Sequence, residues 1–106
     1  MNAHLAEVGD ENEDNFLKTL ISSYQSHKNY WLGGSDANAE GVWQWMQNNH
    51  PINYTNWGHG QPNNLHGKNC LVLHYNPPDF NWKAFDCMKY HNYICETENS
   101  SWIILG

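Results

Sequence analysis

Basic side chains are scarce in this sequence. Five Lys and Arg residues stand against eleven Asp and Glu over 106 residues, a formal charge of −6. Nucleic-acid binding draws on phosphate neutralisation by clustered cations, so nucleic acid is not an expected partner. Long apolar runs are missing too. No stretch approaches the ~20 residues a membrane span needs, so membrane insertion is not expected, and Met1 to Asp10 lacks the basic-then-apolar order of an export signal. Cysteine is limited to Cys70, Cys87 and Cys95, with no C-x-x-C pair, which disfavours a zinc ribbon or a thioredoxin-type motif. Their odd number leaves one thiol free, bonded to another chain, or without its partner.

Aromatic mass is what the chain does have. Six Trp contribute to a 14% aromatic content within 40% hydrophobic residues. A chain of this size buries only roughly 60–65% of its unfolded surface, so one compact core built on a few large side chains is expected. The sequons Asn53-Tyr54-Thr55 and Asn99-Ser100-Ser101 would accept glycans on a secreted protein.

Asp10 and Glu13 have capping-box spacing, and Glu11, Glu13 and Asp14 put negative charge where a helix N-terminus favours it. Phe16, Leu17, Leu20, Ile21 and Tyr24 follow at helical spacing, predicting a helix that ends near His27 with this stripe in the core. The period then changes. Tyr30-Trp31-Leu32 and Val42-Trp43-Gln44-Trp45 read as short strands parted by Gly33, Gly34 and the polar run to Gly41. Gln47 to Asn69 is polar, carries Pro51 and Pro62, and is too long for an ordinary connection; long ordered loops are usually functional. Strands return at Cys70–Leu73, Phe80–Phe85 and Tyr93–Cys95. The expected class is α+β: one helix, then an antiparallel sheet carrying a long ligand-binding loop.

In this order, several segments resemble the C-type lectin-like family: His4-Leu5-Ala6, Trp31-Leu32-Gly33, Glu40-Gly41-x-Trp43-x-Trp45, Tyr54-x-Asn56-Trp57, Gly60-Gln61-Pro62-Asn63, and the frame of Cys70, Trp82, Cys87 and Cys95. Tyr30–Gly33, Asn53–Trp57 and Gln61-Pro62 look most like perlucin-type mollusc lectins. The resemblance implies a domain over 3–97 with a tail over 98–106, lacking the first strand and helix that precede His4 in the family. It implies a Cys70–Cys87 disulfide, a contribution of about 3 kcal/mol in the chain-entropy model, and leaves Cys95 without its family partner. The apolar tail Trp102–Leu105 is β-prone and is expected to add a strand beside Tyr93-Ile94. Trp31, Trp43, Trp45 and Trp82 are expected in the core.

Within the family, the loop motif, an acid two residues before the next cysteine and a Trp-Asn-Asp run hold a calcium ion, and the sugar's vicinal hydroxyls complete its shell. Calcium takes about six to eight hard oxygens, and a diol can replace two waters. Here Gln61 and Asn63 match the loop motif, with Pro62 expected cis. Lys68 stands at the acid, and Trp82-Lys83-Ala84 stands at Trp-Asn-Asp. Two ammonium groups oppose a divalent cation, so the expected site recognises sugar hydroxyls without calcium through Gln61, Asn63, Lys68 and Lys83, with Trp57 flanking it. A second, structural calcium site of the family maps onto Asp36, Glu40 and Asn64, weakened by Lys68.

The seven His residues, with His59, His66 and His74 in or beside the loop, match no helical or turn-based zinc pattern. No Ser/His/Asp or Cys/His arrangement can be argued, and catalysis is not expected. The sequence reads as a secreted, extracellular lectin for glycans or glycoproteins, plausibly of innate defence. The alternative is an extracellular-matrix or biomineral-associated structural protein on the same scaffold with a decayed sugar site. A homo-oligomer linked through Cys95 is a further possibility.

Overall fold

The computed structural model describes residues 3–23, 28–63, 67–76, 79–97 and 102–105. Helix α1 spans Glu11–Ser23. Its first turn is capped from both sides: Asp10 Oδ1 accepts from the Glu13 N–H at 2.8 Å, and Glu13 Oε1 accepts from the Gly9 N–H at 2.7 Å. The first bond satisfies a backbone donor that helix geometry leaves without a partner, and the second ties the residue before the cap to the first turn. Leu17 and Ile21 are fully buried, but Phe16 is 63% exposed. The buried stripe is thus narrower than the spacing implied, and Phe16 lies outside it against the Trp102 ring at 5.7 Å. Tyr24 and the expected helix end near His27 fall outside the described residues.

The strands are β1 (Ala3–Leu5), β2 (Tyr30–Ser35), β3 (Gln44–Trp45), β4 (His50–Pro51), β5 (Cys70–Asn76), β6 (Asp79–Phe85), β7 (Asn92–Thr97) and β8 (Trp102–Leu105). β2 is central, pairing with β3, β5 and β7, while β6 lies beyond β5 and β8 on the edge of β7. The sheet is mixed rather than antiparallel, because β2 and β7 run parallel with Tyr30 opposite Asn92 and Trp31 opposite Tyr93. β2 also continues through the glycines expected to end it. A Cβ on Gly33 would sit 2.8 Å from the Leu5 carbonyl oxygen, and one on Gly34 2.7 Å from Leu71 Cδ1. These glycines admit neighbouring chain rather than breaking the strand. Val42 and Trp43 lie outside the short β3, and β4 falls inside the stretch expected as loop.

Alternation on β6 sends Phe80, Trp82 and Ala84 inward, where they meet Leu17, Ile21, Leu32, Trp43, Trp45, Leu71, Leu73 and Ile94. Trp31 is not in that core. It is half-buried and packs edge-on against Phe85 at 6.4 Å and His91 at 5.0 Å; its neighbours Tyr30 and Leu32 take the inward positions that strand alternation denies it.

Cys70 and Cys87 form the disulfide, tying the start of β5 to the segment after β6. Cys95 is a free thiol, half-buried, and burial pushes its pKa up. β8 runs antiparallel to β7, Ile94 opposite Ile104 and Cys95 opposite Ile103. His74 on β5 is fastened to the chain before β2. Asn29 Oδ1 accepts from the Tyr75 N–H at 3.0 Å and lies 3.2 Å from His74 Nδ1, so Nδ1 is the ring nitrogen that carries the proton. Burial first, then Lys83 and His91, hold the His74 pKa below its ordinary value, and burial does the same for His91.

Two tests follow. Deletion of residues 100–106 removes β8 and is expected to lower stability by about 1–3 kcal/mol, a melting-temperature drop of about 5–15 °C; an unchanged melting temperature would show that β8 adds nothing. The lowered histidine pKa values make the unfolded chain the better proton acceptor, so their contribution is present above the unfolded value of about 6.5 and is lost as pH falls below it. Urea midpoints at pH 7.5 and 5.5 should therefore fall further for the native sequence than for His74→Asn/His91→Phe, and equal falls would contradict this.

Candidate functional site

The loop before β5 is anchored by a buried carboxylate on α1. Asp14 is inaccessible to solvent. Its Oδ2 accepts from Tyr54 Oη and from Asn56 Nδ2, each at 3.0 Å, and its Oδ1 accepts from Trp82 Nε1 at 3.3 Å. Lys18 Nζ adds a charge partner at 3.5 Å and reaches Asp79 at 3.6 Å. An isolated buried carboxylate is strongly disfavoured; several donors and a cation offset that cost. Burial and the bond to Asp14 push the Tyr54 hydroxyl well above its ordinary pKa, so it remains a donor.

From this anchor the loop runs along the outer edge of β6. The Trp82 N–H donates to the Asn56 carbonyl at 2.8 Å, the Gly58 N–H to the Trp82 carbonyl at 2.9 Å, and the Ala84 N–H to Gln61 Oε1 at 3.1 Å. An edge that would otherwise expose its backbone is thus covered by the loop. Gly60, at φ +77°, makes the turn before Gln61, and the Gln61–Pro62 peptide is cis, as expected.

The expected sugar residues are distributed unevenly. Gln61 Oε1 also accepts from the Asn63 N–H, at 3.2 Å, so both lone pairs of this carbonyl hold the protein's own backbone. Lys68 and Lys83 converge on one ring, each Nζ 5.3 Å from the Phe85 centroid. Trp57 is half-buried and meets Trp43 at 5.0 Å and Trp82 at 5.8 Å, both edge-on. A hollow of about 200 Å³ lies between loop and sheet, lined by Gly58, His59 and Gln61 from the loop, His74 from β5, and Asn81, Trp82 and Lys83 from β6. No residue lining it is an acid. It can offer N–H donors and neutral acceptors to hydroxyl groups, and it offers nothing that would attract a cation.

The family's sugar-site calcium does not fit these residues, because the Gln61 oxygen is already used, Lys68 stands in place of one acid and Ala84 in place of another, and Lys83 replaces a neutral amide ligand with a second ammonium group. The second calcium position differs. Asp36 is buried, its Oδ2 accepts from the Gly41 N–H at 2.9 Å, and its Oδ1 is buried with no hydrogen-bond partner. One hard oxygen is therefore in place for a cation. Glu40 is exposed and Asn64 lies outside the described residues. Among the described residues no group of three or more His, Cys, Asp or Glu side chains is arranged to hold a metal.

Sequence reasoning missed Asp14, Tyr54 and Asn56 as a unit, having read Asp14 only as first-turn charge. The available signal was that 14 lies on the same helix face as Leu17 and Ile21, three and seven residues on. Asn81 was also missed, although alternation along β6 puts it on the face of Lys83 and Phe85.

The chain matches the model of the Lectin C-type domain over residues 1–97. Perlucin of Haliotis laevigata is 38% identical over 99 residues, 92% of this chain and 63% of perlucin. A perlucin-like protein of Mytilus galloprovincialis is 29% identical over 104 residues, 97% of this chain and 61% of that protein. This chain thus spans less than two thirds of either mollusc relative. The mouse scavenger receptor C-type lectin carbohydrate-recognition domain superposes with a TM-score of 0.73 at 30% identity, over 88% of this chain and 68% of that one. A helix packed on a mixed sheet, a disulfide at the base of the loop and a cis proline within it accord with these likenesses: the chain belongs to the C-type lectin domain family.

Proposed function

We propose that the protein is an extracellular lectin that recognises sugar hydroxyls at the hollow between its long loop and β6, without calcium at that site. The observation that carries the reading is the hollow's lining: Gln61, Asn81, His59, His74 and Lys83 supply hydrogen-bonding groups and no carboxylate is among them. Hydroxyls both donate and accept, so neutral amide and imidazole groups suit them, whereas a divalent cation needs anionic oxygens. Asn63 is tied to Gln61, and Lys68 shares the Phe85 ring with Lys83, which connects both to residues of the hollow. In this reading Trp57 shapes the loop wall from its seat on Trp43 and Trp82. The likeness to a carbohydrate-recognition domain supports the ligand class, and the Cys70–Cys87 disulfide suits an oxidising, extracellular setting.

Calcium at Asp36, Glu40 and Asn64 is a separate part of the proposal, favoured by the unpartnered Asp36 Oδ1. It would neutralise that oxygen and brace the turn at Gly41, away from the sugar. A covalent dimer through Cys95 is not part of the reading. Disulfide formation needs an accessible thiolate, and this thiol is half-buried on β7 with Leu5 of β1 and Ile103 of β8 as its register partners.

The test is binding to a panel of neutral glycans, once with calcium and once with excess chelator. Binding is expected in both conditions. It should be lost in Gln61→Ala/Asn63→Ala, with circular dichroism confirming that this variant is folded. Binding abolished by chelation, or absent in both conditions, would contradict the proposal. For the second site, chelation should lower the melting temperature while leaving glycan affinity unchanged; an unchanged melting temperature would remove calcium from Asp36.

A further inference from the structure

We propose that Lys83, which lines the hollow, and Lys68, which shares the Phe85 ring with it, form a subsite for the sulfate group of a sulfated glycan. The inference rests on the lectin reading above and names the ligand class within it. Lys68 comes from the segment before β5 and Lys83 from β6, yet both ammonium groups lie 5.3 Å from the same ring centroid. Bringing two like charges to one ring is unfavourable. The electron-rich ring offsets part of that cost, and a bound anion would offset more of it.

No carboxylate among the described residues supplies that anion. Among the described residues neither lysine has a carboxylate within 4.0 Å, whereas Lys18 has both Asp14 and Asp79. Asp86 follows Phe85 in the chain, but its Oδ1 accepts from the Met88 N–H at 2.9 Å. The platform is also braced. Phe85 packs against Trp31 at 6.4 Å and His91 at 5.1 Å, so the ring over which the ammonium heads sit is held in place from the side.

Lys83 belongs to both places, lining the hollow and sitting over Phe85. A single sugar unit could therefore set hydroxyls against Asn81, His74 and Gln61 while a sulfate ester on the same unit meets Lys83 and Lys68. Sulfate suits two ammonium groups that share one ring because its oxygens accept several charge-assisted bonds at once. A neutral sugar can take a hydrogen bond from Lys83 but leaves both positive charges without a counter-charge. A nucleic acid meets the opposing charge of −6 over the whole chain, whereas one sulfate needs only the local pair.

The test uses an array of matched sugars, each immobilised with and without one sulfate ester, in excess chelator. The native sequence, Lys68→Gln/Lys83→Gln and the charge-matched Lys28→Gln/Lys89→Gln are compared, with circular dichroism confirming that each is folded. The native protein should bind at least one sulfated member about tenfold more tightly than its unsulfated match, the scale expected from two partly exposed charge pairs. Lys68→Gln/Lys83→Gln should abolish that preference and Lys28→Gln/Lys89→Gln should preserve it. Neutral binding with no preference for sulfate would overturn the subsite and leave the lectin reading standing. Sulfate preference lost equally in both double variants would also overturn it, as the mark of diffuse charge. Binding to sulfated members alone, lost in Lys68→Gln/Lys83→Gln, would uphold the subsite while removing neutral-hydroxyl recognition, and binding to no member would overturn both.

Discussion

One buried carboxylate joins the three parts that any ligand site here requires. Asp14 belongs to α1, Tyr54 and Asn56 to the loop, and Trp82 to the middle of β6, and their polar hydrogens meet on its two oxygens. With those bonds made, the loop is held where its backbone can pair along the β6 edge. Without them, a negative charge would remain at the edge of a core that includes Leu17, Ile21, Trp45 and Trp82. Removing one partner of such a network leaves the others unpaired in low dielectric, so its members stand or fall together.

From the Asp14 anchor onward, bonds within the chain hold the loop along β6: Gln61 Oε1 accepts from the Ala84 and Asn63 N–H groups, and Gly58 pairs with Trp82. What remains at the surface is a hollow without carboxylates and a pair of ammonium groups over an aromatic ring. Chemistry of that kind is complementary to hydroxyl groups and to anions. In the proposed reading, the loop's architecture and its ligand preference have one origin, the neutral and cationic groups that line it in place of acids.

Much of the fold was legible because it follows short-range rules. The Asp10/Glu13 cap fixed the start of α1, the β-prone segments located most strands, and the family pattern of cysteines implied the Cys70–Cys87 bridge. Properties set by distant chain were not legible. Gly33 and Gly34 look like breakers until Leu5 and Leu71 are seen to press on them. Trp31 looks like core until alternation along β2 places it on the opposite face with Phe85. At the site, Gln61, Lys68 and Lys83 were visible from their motif positions, but that Gln61 faces inward to Ala84, and that both lysines share one ring, depends on how β6 passes the loop.

The most direct measurement is amide hydrogen exchange at Gly58, Trp82 and Ala84 in Asp14→Asn, which keeps the side chain's shape and replaces an acceptor by a donor. The substitution is expected to cost about 2–3 kcal/mol. Protection at those three amides should fall while Leu32 in β2 and Leu73 in β5 remain protected. Unchanged protection at Gly58, Trp82 and Ala84 would contradict the claim that Asp14 holds the loop to the sheet.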